Sequence, residues 1–134
     1  MAGGKSDAME NSVLDHVFGV TSYTPEAHVH VELYTVTPTD AMNDGTKVSG
    51  SGYVSVQVTN SNVNFSTAVA GEVHNATAIT FPAATDDWGT VVAWGIFAAD
   101  GTTGMYWGPV SPSKVVSLGD TPSFAAGQLS ITEA

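Results

Sequence analysis

From His28 onward, the apolar side chains of this chain recur at every second position, which is the spacing of a β-strand with one buried face. The first such run places Val29, Val31 and Leu33 on one face and polar or aromatic side chains on the other. Further apolar runs follow, each bounded by turn residues, and strands are predicted over residues 28–36, 53–58, 72–81, 90–98, 105–107, 114–118 and 123–132. The pattern therefore predicts a mainly β protein, an antiparallel β-sandwich or open barrel of about seven to eight short strands.

The strand over residues 90–98 is predicted to lie at the centre of the sheet. It is a continuous apolar run that contains Trp94 and Phe97, as expected of a strand that is buried on both faces. The Asp100-Gly101 pair that follows is a hairpin signal, so this strand and the next are predicted to pair with each other.

One helix is predicted before the strands, from residue 6 to about residue 18. Ser6 or Asp7 can serve as its N-cap. Four apolar side chains recur at helical spacing and form one stripe: Met9, Val13, Leu14 and Val17. So short a helix is not stable alone, and the stripe is therefore expected to pack on something. We divide the chain into an N-terminal helical arm, residues 1–19, and a single β-rich domain, residues 20–134.

Charge restricts the partners of the chain. Of its 134 residues, three are lysine, none is arginine and thirteen are acidic, which gives a net charge of −10 at pH 7. Binding to nucleic acids or to anionic membranes requires clustered basic side chains, so both kinds of partner are excluded. Charged residues make up only 12% of the chain, against about 25% in an ordinary globular domain. A surface of short uncharged side chains loses little conformational entropy when it is covered, which favours a protein that works in contact with neighbours.

The sequence also indicates the compartment. Cysteine is absent, so the fold must be held by packing and hydrogen bonds rather than by disulfides. The N-terminus lacks the apolar run of a signal peptide, and no segment reaches the ~18 apolar residues of a membrane span. We expect a chain that is made in a cytoplasm and that stays soluble or joins an assembly.

The sequence His28-x-His30-x-Glu32 is the sharpest candidate for a metal site. Alternate residues of a strand point to the same face, so two imidazoles and a carboxylate could reach one divalent ion. The alternative is the polar, solvated face of an edge strand. Because a zinc site needs a further ligand and this spacing is common by chance, neither a metal nor another cofactor is predicted.

Nothing in the sequence indicates an enzyme. No serine or threonine lies in a recognisable nucleophile elbow, the histidines have no diagnostic partners, and no glycine-rich phosphate loop is present. Asp86 and Asp87 are adjacent and therefore diverge, which favours a solvated loop over a catalytic pair. Asp40, Asn43 and Asp44 have the composition of a calcium loop without its ligand spacing, so a turn is predicted there.

Four aromatic side chains cluster within one third of the chain: Trp88, Trp94, Tyr106 and Trp107. Trp94 lies within an apolar run and is predicted to be buried. Trp88 and Trp107 are candidates for stacking on sugar rings if they are exposed, and for core positions if they are not.

Seven stretches, read in order, are similar to a known family. They are VLDHVFG (residues 13–19), LYTVTPTDA (33–41), VSGSGY (48–53), AITFPAATDDWGT (78–90), WGIF (94–97), YWGP (106–109) and GDTPSFAAG (119–127). Together they resemble small virion proteins of tailed bacteriophages and prophages that are usually labelled tail fibre proteins, and the resemblance covers residues 5–132. The family pattern is apolar where this chain has His28 and His30, so the resemblance implies no metal site there. It brings no catalytic residues either.

The resemblance implies a structural protein on the outer surface of the virion, assembled in the host cytoplasm. The favoured role is a capsid cement or decoration protein that binds between capsomers of the major capsid protein, because so short a chain without a coiled coil or repeat cannot build a fibre shaft by itself. The alternative is a tail fibre or tail-tip component for host attachment, of the carbohydrate-binding type, with Trp88 and Trp107 as stacking residues. In the cement role, Met9, Val13 and Val17 are predicted to contact the shell, another virion protein or a sister subunit, and a homo-dimer or homo-trimer is expected.

Overall fold

The computed structural model describes residues 3–133, in which ten strands and one helix follow one another. In chain order they are β1 (Gly4–Lys5), α1 (Asp7–Val17), β2 (His28–Val36), β3 (Thr46–Lys47), β4 (Val56–Thr59), β5 (Glu72–His74), β6 (Ile79–Thr80), β7 (Gly89–Phe97), β8 (Gly104–Val116), β9 (Ser123–Phe124) and β10 (Ser130–Thr132). Strands make up 40% of the structure and the helix 8%, and over residues 3–133 the antiparallel sheets do not close into a barrel. The predicted mainly β fold class is therefore confirmed, with more and shorter strands than the pattern indicated.

Six strands form a main sheet that is covered by two small ribbons. The order in the main sheet is β1-β8-β7-β2-β3, and β4 pairs with β2 beside β3. The remaining strands pair as β5 with β10 and as β6 with β9. The ribbons and the segments around them pack on one face of the main sheet and enclose the larger core. Residues at the centre of this core are at most 2% exposed: Val31, Leu33, Ile79, Phe81, Ile96 and Leu129.

The opposite face of the main sheet is also buried. Tyr34, on the side of β2 that the alternation predicted to be polar, is fully buried with Met42, Phe97 and Trp107. Burial raises the pKa of Tyr34 to about 12. The alternative that β2 is a solvated edge strand is wrong, because β2 pairs with β7 on one side and with β3 and β4 on the other. The segment after β2 also folds back and places Met42 against this face.

β7 is the central strand that the apolar run predicted, and it forms a hairpin with β8. In the turn between them, the Asp100 carboxylate accepts hydrogen bonds from the backbone N–H groups of Thr102 and Thr103 and from the Thr103 hydroxyl. These bonds favour the charged carboxylate and lower the pKa of Asp100 to about 2. The two strands predicted at 105–107 and 114–118 are one continuous strand, β8, whose register with β7 shifts in the middle.

Asn75 lies where two of the predicted strands, 72–81 and 123–132, are each divided into two pieces. The run at 72–81 becomes β5 and β6, and the run at 123–132 becomes β9 and β10. The buried Asn75 amide donates to the carbonyl oxygens of Thr77 and Ala125 at 2.8 and 3.0 Å, and its oxygen accepts from the Leu129 N–H at 2.9 Å. One side chain thus satisfies the backbone groups where the chain passes from one ribbon to the other.

The helix begins where the sequence predicted, and its first turn is built into the body. Ser6 is the N-cap: its hydroxyl oxygen accepts from the Met9 N–H at 3.0 Å, and its O–H donates to the Gly104 carbonyl at 2.6 Å. β1 pairs with β8, so the predicted arm, residues 1–19, is joined to the main sheet before the helix starts. Residues 1, 2 and 134 lie outside the described residues. Over residues 3–133, no helix is long and apolar enough to cross a membrane.

Candidate interaction surface

Four large apolar side chains are exposed together at the C-terminal end of α1. We call them the helix-end surface: Leu14, Val17, Phe18 and Val20, whose exposed fractions range from 55% to 75%. A single exposed apolar residue is normal on a protein surface, whereas a contiguous group marks an interaction site. The apolar stripe of the helix therefore packs on the body only at its N-terminal end, and its C-terminal half is free to pack on something else.

Hydrogen bonds hold the helix-end surface in place. The N–H of Phe18 donates to the Leu14 carbonyl, and the chain then reverses at Gly19, whose φ of +74° suits a residue without a Cβ. The next N–H, that of Val20, donates back to the Asp15 carbonyl at 2.8 Å. This cap keeps Val20 beside the last turn of the helix, so that the four side chains form one surface.

The returning chain is fixed by a histidine of the same helix. His16 Nδ1 accepts a hydrogen bond from the Tyr23 N–H at 3.0 Å. The His16 side chain is thereby engaged in the local turn through Nδ1.

The helix that carries the helix-end surface is acidic. Asp15 lies in its C-terminal half, Asp7 and Glu10 lie in its first turn, and the sequence contains neither lysine nor arginine between residues 6 and 46. The two nearest lysines in the sequence contact acids of the chain itself, Lys5 with Glu133 and Lys47 with Glu32. This part of the molecule therefore presents apolar side chains beside uncompensated negative charge.

The three predicted partner-contact residues occupy different environments. Val17 belongs to the helix-end surface, and Val13 is half-buried beside it. Met9 is only 6% exposed, because the first turn of the helix packs on the body, so Met9 offers no surface to a partner. Sequence reasoning missed Phe18 and Val20, although two apolar residues around the predicted C-cap glycine were a visible signal.

Of the two alternatives for Trp88 and Trp107, stacking on sugars or core positions, the structure shows core positions. Both indoles are buried, at 5% and 6% exposure, in the two cores of the main sheet. Their N–H groups are also satisfied inside the protein, Trp88 by the Ser51 carbonyl and Trp107 by the Asp40 carboxylate. Alternation and turn signals do not show which face of a two-sided sheet is covered, and here both faces are.

The structure does not assemble the candidate metal ligands of β2. The rings of His28 and His30 meet edge to face with centroids 5.3 Å apart. Glu32 is nearly buried, and its carboxylate accepts from the Tyr53 hydroxyl at 2.6 Å and from Lys47 Nζ at 3.3 Å. The carboxylate is therefore already occupied by protein donors.

The acidic residues of the loops are engaged in local structure. Asp44 accepts from the N–H and hydroxyl of Thr39, which lowers the pKa of Asp44 and confirms the turn predicted there. Asp86 accepts from the Asp87 N–H, and Asp87 accepts from the Leu118 N–H, so these two carboxylates bind different backbone groups.

One group of carboxylates does converge, at the N-terminus of α1. Asp7, Glu10 and Asp40 place ligand atoms within 4.8 Å of one another. Negative charge is favoured at this end of a helix by the helix dipole, and Asp40 also holds the Trp107 indole. These two structural roles account for the cluster.

The comparison with known families covers nearly the whole of this structure. No curated protein matches the chain. The family model described as podophage GP4 fiber I protein gp80 matches residues 4–132, which include α1, the main sheet and both ribbons. The chain therefore belongs to the family of podophage GP4 fiber I protein gp80, a family of phage fibre proteins.

Proposed function

We propose that this protein is a non-catalytic structural subunit of a bacteriophage fibre, and that it attaches to a neighbouring virion protein through the helix-end surface. The exposed apolar group at the end of α1 is the observation that carries the proposal. The family match supports the fibre part of it, and gives no support to the role of a capsid cement between capsomers.

The energetics of the helix-end surface favour a covered state. Full burial of a large apolar side chain contributes about 2 kcal/mol relative to exposure in water. The side chains already lie on a capped helix that is anchored at its first turn, so little additional ordering is needed on binding. Phe18 is the most exposed of the four side chains, so we expect it to lie at the centre of the contact.

The charge of the chain defines the partner. Two copies that met through this surface would bring together acidic helices of a protein with a net charge of −10. The complementary surface is an apolar groove with lysine or arginine at its rim, on a different virion protein. Association with a second copy, the homo-dimer or homo-trimer expected from composition, is the competing outcome.

Two surface variants test this proposal. Phe18→Ser with Val20→Ser should leave the melting temperature unchanged and should reduce incorporation into virions at least about tenfold, since two apolar contacts are lost. Leu118→Ser is the matched control, because Leu118 is similarly exposed but lies after the far end of β8. Incorporation is measured by complementing a phage that lacks the gene and quantifying the protein in purified particles.

The outcomes separate the alternatives. Normal incorporation of the double variant, or an equal loss with Leu118→Ser, would overturn the helix-end surface as the attachment site. Cryo-electron microscopy of the same particles gives the position: density at the tail supports a fibre subunit, whereas density repeated over the head contradicts it. A stable oligomer of the isolated protein, seen by light scattering at low salt, would contradict the argument from charge.

A further inference from the structure

A cleft opens between the main sheet and the ribbon of β5 and β10. Its volume is about 430 Å³, within the usual range for ligand sites. Val29, Ile96 and Tyr106 form its floor, from three neighbouring strands of the main sheet, and Val73 and Ile131 of the ribbon form a wall. The cleft is thus built on regular strands that hold its lining side chains in fixed positions.

Two aromatic rings line this cleft. Phe65 and Tyr106 are both half-buried, so each ring offers part of its surface to a ligand. The Tyr106 ring is fixed by its hydroxyl, which donates to Glu133 Oε2 at 2.9 Å, and Glu133 is in turn paired with Lys5. A ring held in this way is a rigid platform for the apolar face of a ligand.

The rim of the cleft carries uncharged amide and hydroxyl groups from residues 60–67. Ser61 and Ser66 each accept a backbone hydrogen bond through Oγ, which leaves their hydroxyl protons available. The Asn60 amide nitrogen donates to the Glu26 carbonyl, which leaves its oxygen as an acceptor, and the Asn62 and Thr67 side chains are exposed at the opening. The rim therefore presents donors and acceptors together.

No charged residue lines the described part of the cleft, and this restricts the class of ligand. An ionic ligand would find no counter-charge there, and an anionic one would also be repelled by the net charge of −10. A purely apolar ligand would make no use of the amides and hydroxyls. A neutral sugar has an apolar ring face and a periphery of hydroxyls, which matches both parts of the lining.

We infer that this cleft binds a neutral sugar residue, with the ring face against Tyr106 and Phe65 and the hydroxyls bound by the rim. The inference replaces the two buried tryptophans as the sugar-binding element of the chain. It does not depend on the helix-end surface, which lies on a different part of the structure and uses none of these residues.

The test uses the whole chain and a panel of neutral and anionic oligosaccharides, followed by saturation-transfer and chemical-shift NMR. Neutral sugars should bind with Kd values at or below ~10 mM, which is ordinary for a single sugar site. Asn62→Ala should weaken binding about fivefold, the effect of one lost hydrogen bond, and Tyr106→Ala should weaken it further. Tyr106→Phe keeps the ring and should weaken binding less than Tyr106→Ala does. Leu118→Ser is the control: Leu118 is exposed and does not line the cleft, so binding should be unchanged.

Each result decides the inference. Binding of neutral sugars that Asn62→Ala weakens and Leu118→Ser leaves intact supports it. Absence of binding, binding of anionic glycans or of a fatty acid alone, or insensitivity to Asn62→Ala overturns it.

Asn62 is exposed, so this variant is expected to fold, and its melting temperature is checked by circular dichroism. Free monosaccharides and cell-surface polysaccharides are compared to distinguish the source of the sugar. Phe18→Ser should bind sugars normally and Asn62→Ala should enter virions normally, so failure of one proposal is distinguishable from failure of the other.

Discussion

Tyr53 completes the hydrogen bonding of β2 at the point where its two short neighbours leave a gap. β4 pairs with residues 28–31 of β2, and β3 pairs with residues 34–36. Between them, the Leu33 N–H donates to the Tyr53 oxygen at 2.9 Å, and the Tyr53 hydroxyl donates to Glu32 at 2.6 Å. Burial raises the pKa of Tyr53 well above its usual value, so the phenol keeps the proton that it donates. A single side chain thus takes the place of a missing strand residue.

We predict that Tyr53→Phe lowers the free energy of unfolding by about 2 kcal/mol, because the Leu33 N–H is left without its partner inside the sheet. Urea denaturation measures the difference. Tyr106→Phe is the matched control, since it removes a hydrogen bond to the exposed Glu133, and a loss below about 1 kcal/mol is expected. Equal losses in the two variants would show that Tyr53 does not have this role.

At the scale of elements, the hairpin of β7 and β8 is organised by glycines that face aromatic residues across the strands. Trp94 lies opposite Gly108, and Gly95 lies opposite Trp107. A Cβ at Gly108 would come within 2.5 Å of the Trp94 ring, so the glycine is required for space rather than for backbone conformation. The WGIF and YWGP stretches of the sequence therefore form one packing unit across the hairpin.

Gly108→Ala should lower the free energy of unfolding by about 2 kcal/mol, because the new methyl group overlaps a buried and rigid ring. Trp94→Phe removes part of that ring. In the Trp94→Phe background the same Gly108→Ala change should cost at least about 1 kcal/mol less, as measured by a double-mutant cycle in urea. Additive effects of the two substitutions would contradict direct packing between these residues.

At the scale of the whole molecule, Asn75 joins the two ribbons that form one layer over the main sheet. Its amide binds backbone groups of Thr77, Ala125 and Leu129, which lie in segments about fifty residues apart. Phe65, which lines the cleft between the main sheet and the ribbon of β5 and β10, forms a β-bridge with Asn75. This part of the cleft lining therefore depends on the same junction. The shape of the cleft is therefore a property of the whole layer.

Asn75→Ala is expected to lower the free energy of unfolding by about 3 kcal/mol, since several buried backbone groups lose their partners at once. Asn62→Ala is the matched control: Asn62 is exposed at the cleft rim, and its loss should change stability by no more than about 0.5 kcal/mol. Thermal and urea unfolding followed by circular dichroism test both values. A neutral Asn75→Ala variant would mean that the ribbons are held by apolar packing alone.

Local signals account for the parts of the structure that were predicted correctly. The Ser6 cap, the helix, the strand His28–Val36, the central strand β7 and the turn at Asp100 all follow from periodicity and turn chemistry within a few residues. The chain itself determined these features because each depends on neighbours in sequence.

Tertiary structure decided which surfaces remain open. Met9 and Val17 belong to the same helical stripe, yet Met9 is buried and Val17 is exposed, because only the first turn of α1 packs on the body. Trp88 and Trp107 are covered on opposite faces of the main sheet by segments distant in sequence. Phe65 and Tyr106 lie far apart in the chain and meet only in the cleft. Local periodicity shows which side chains of an element share a face, but contacts between distant segments decide whether that face is covered and where a cleft forms.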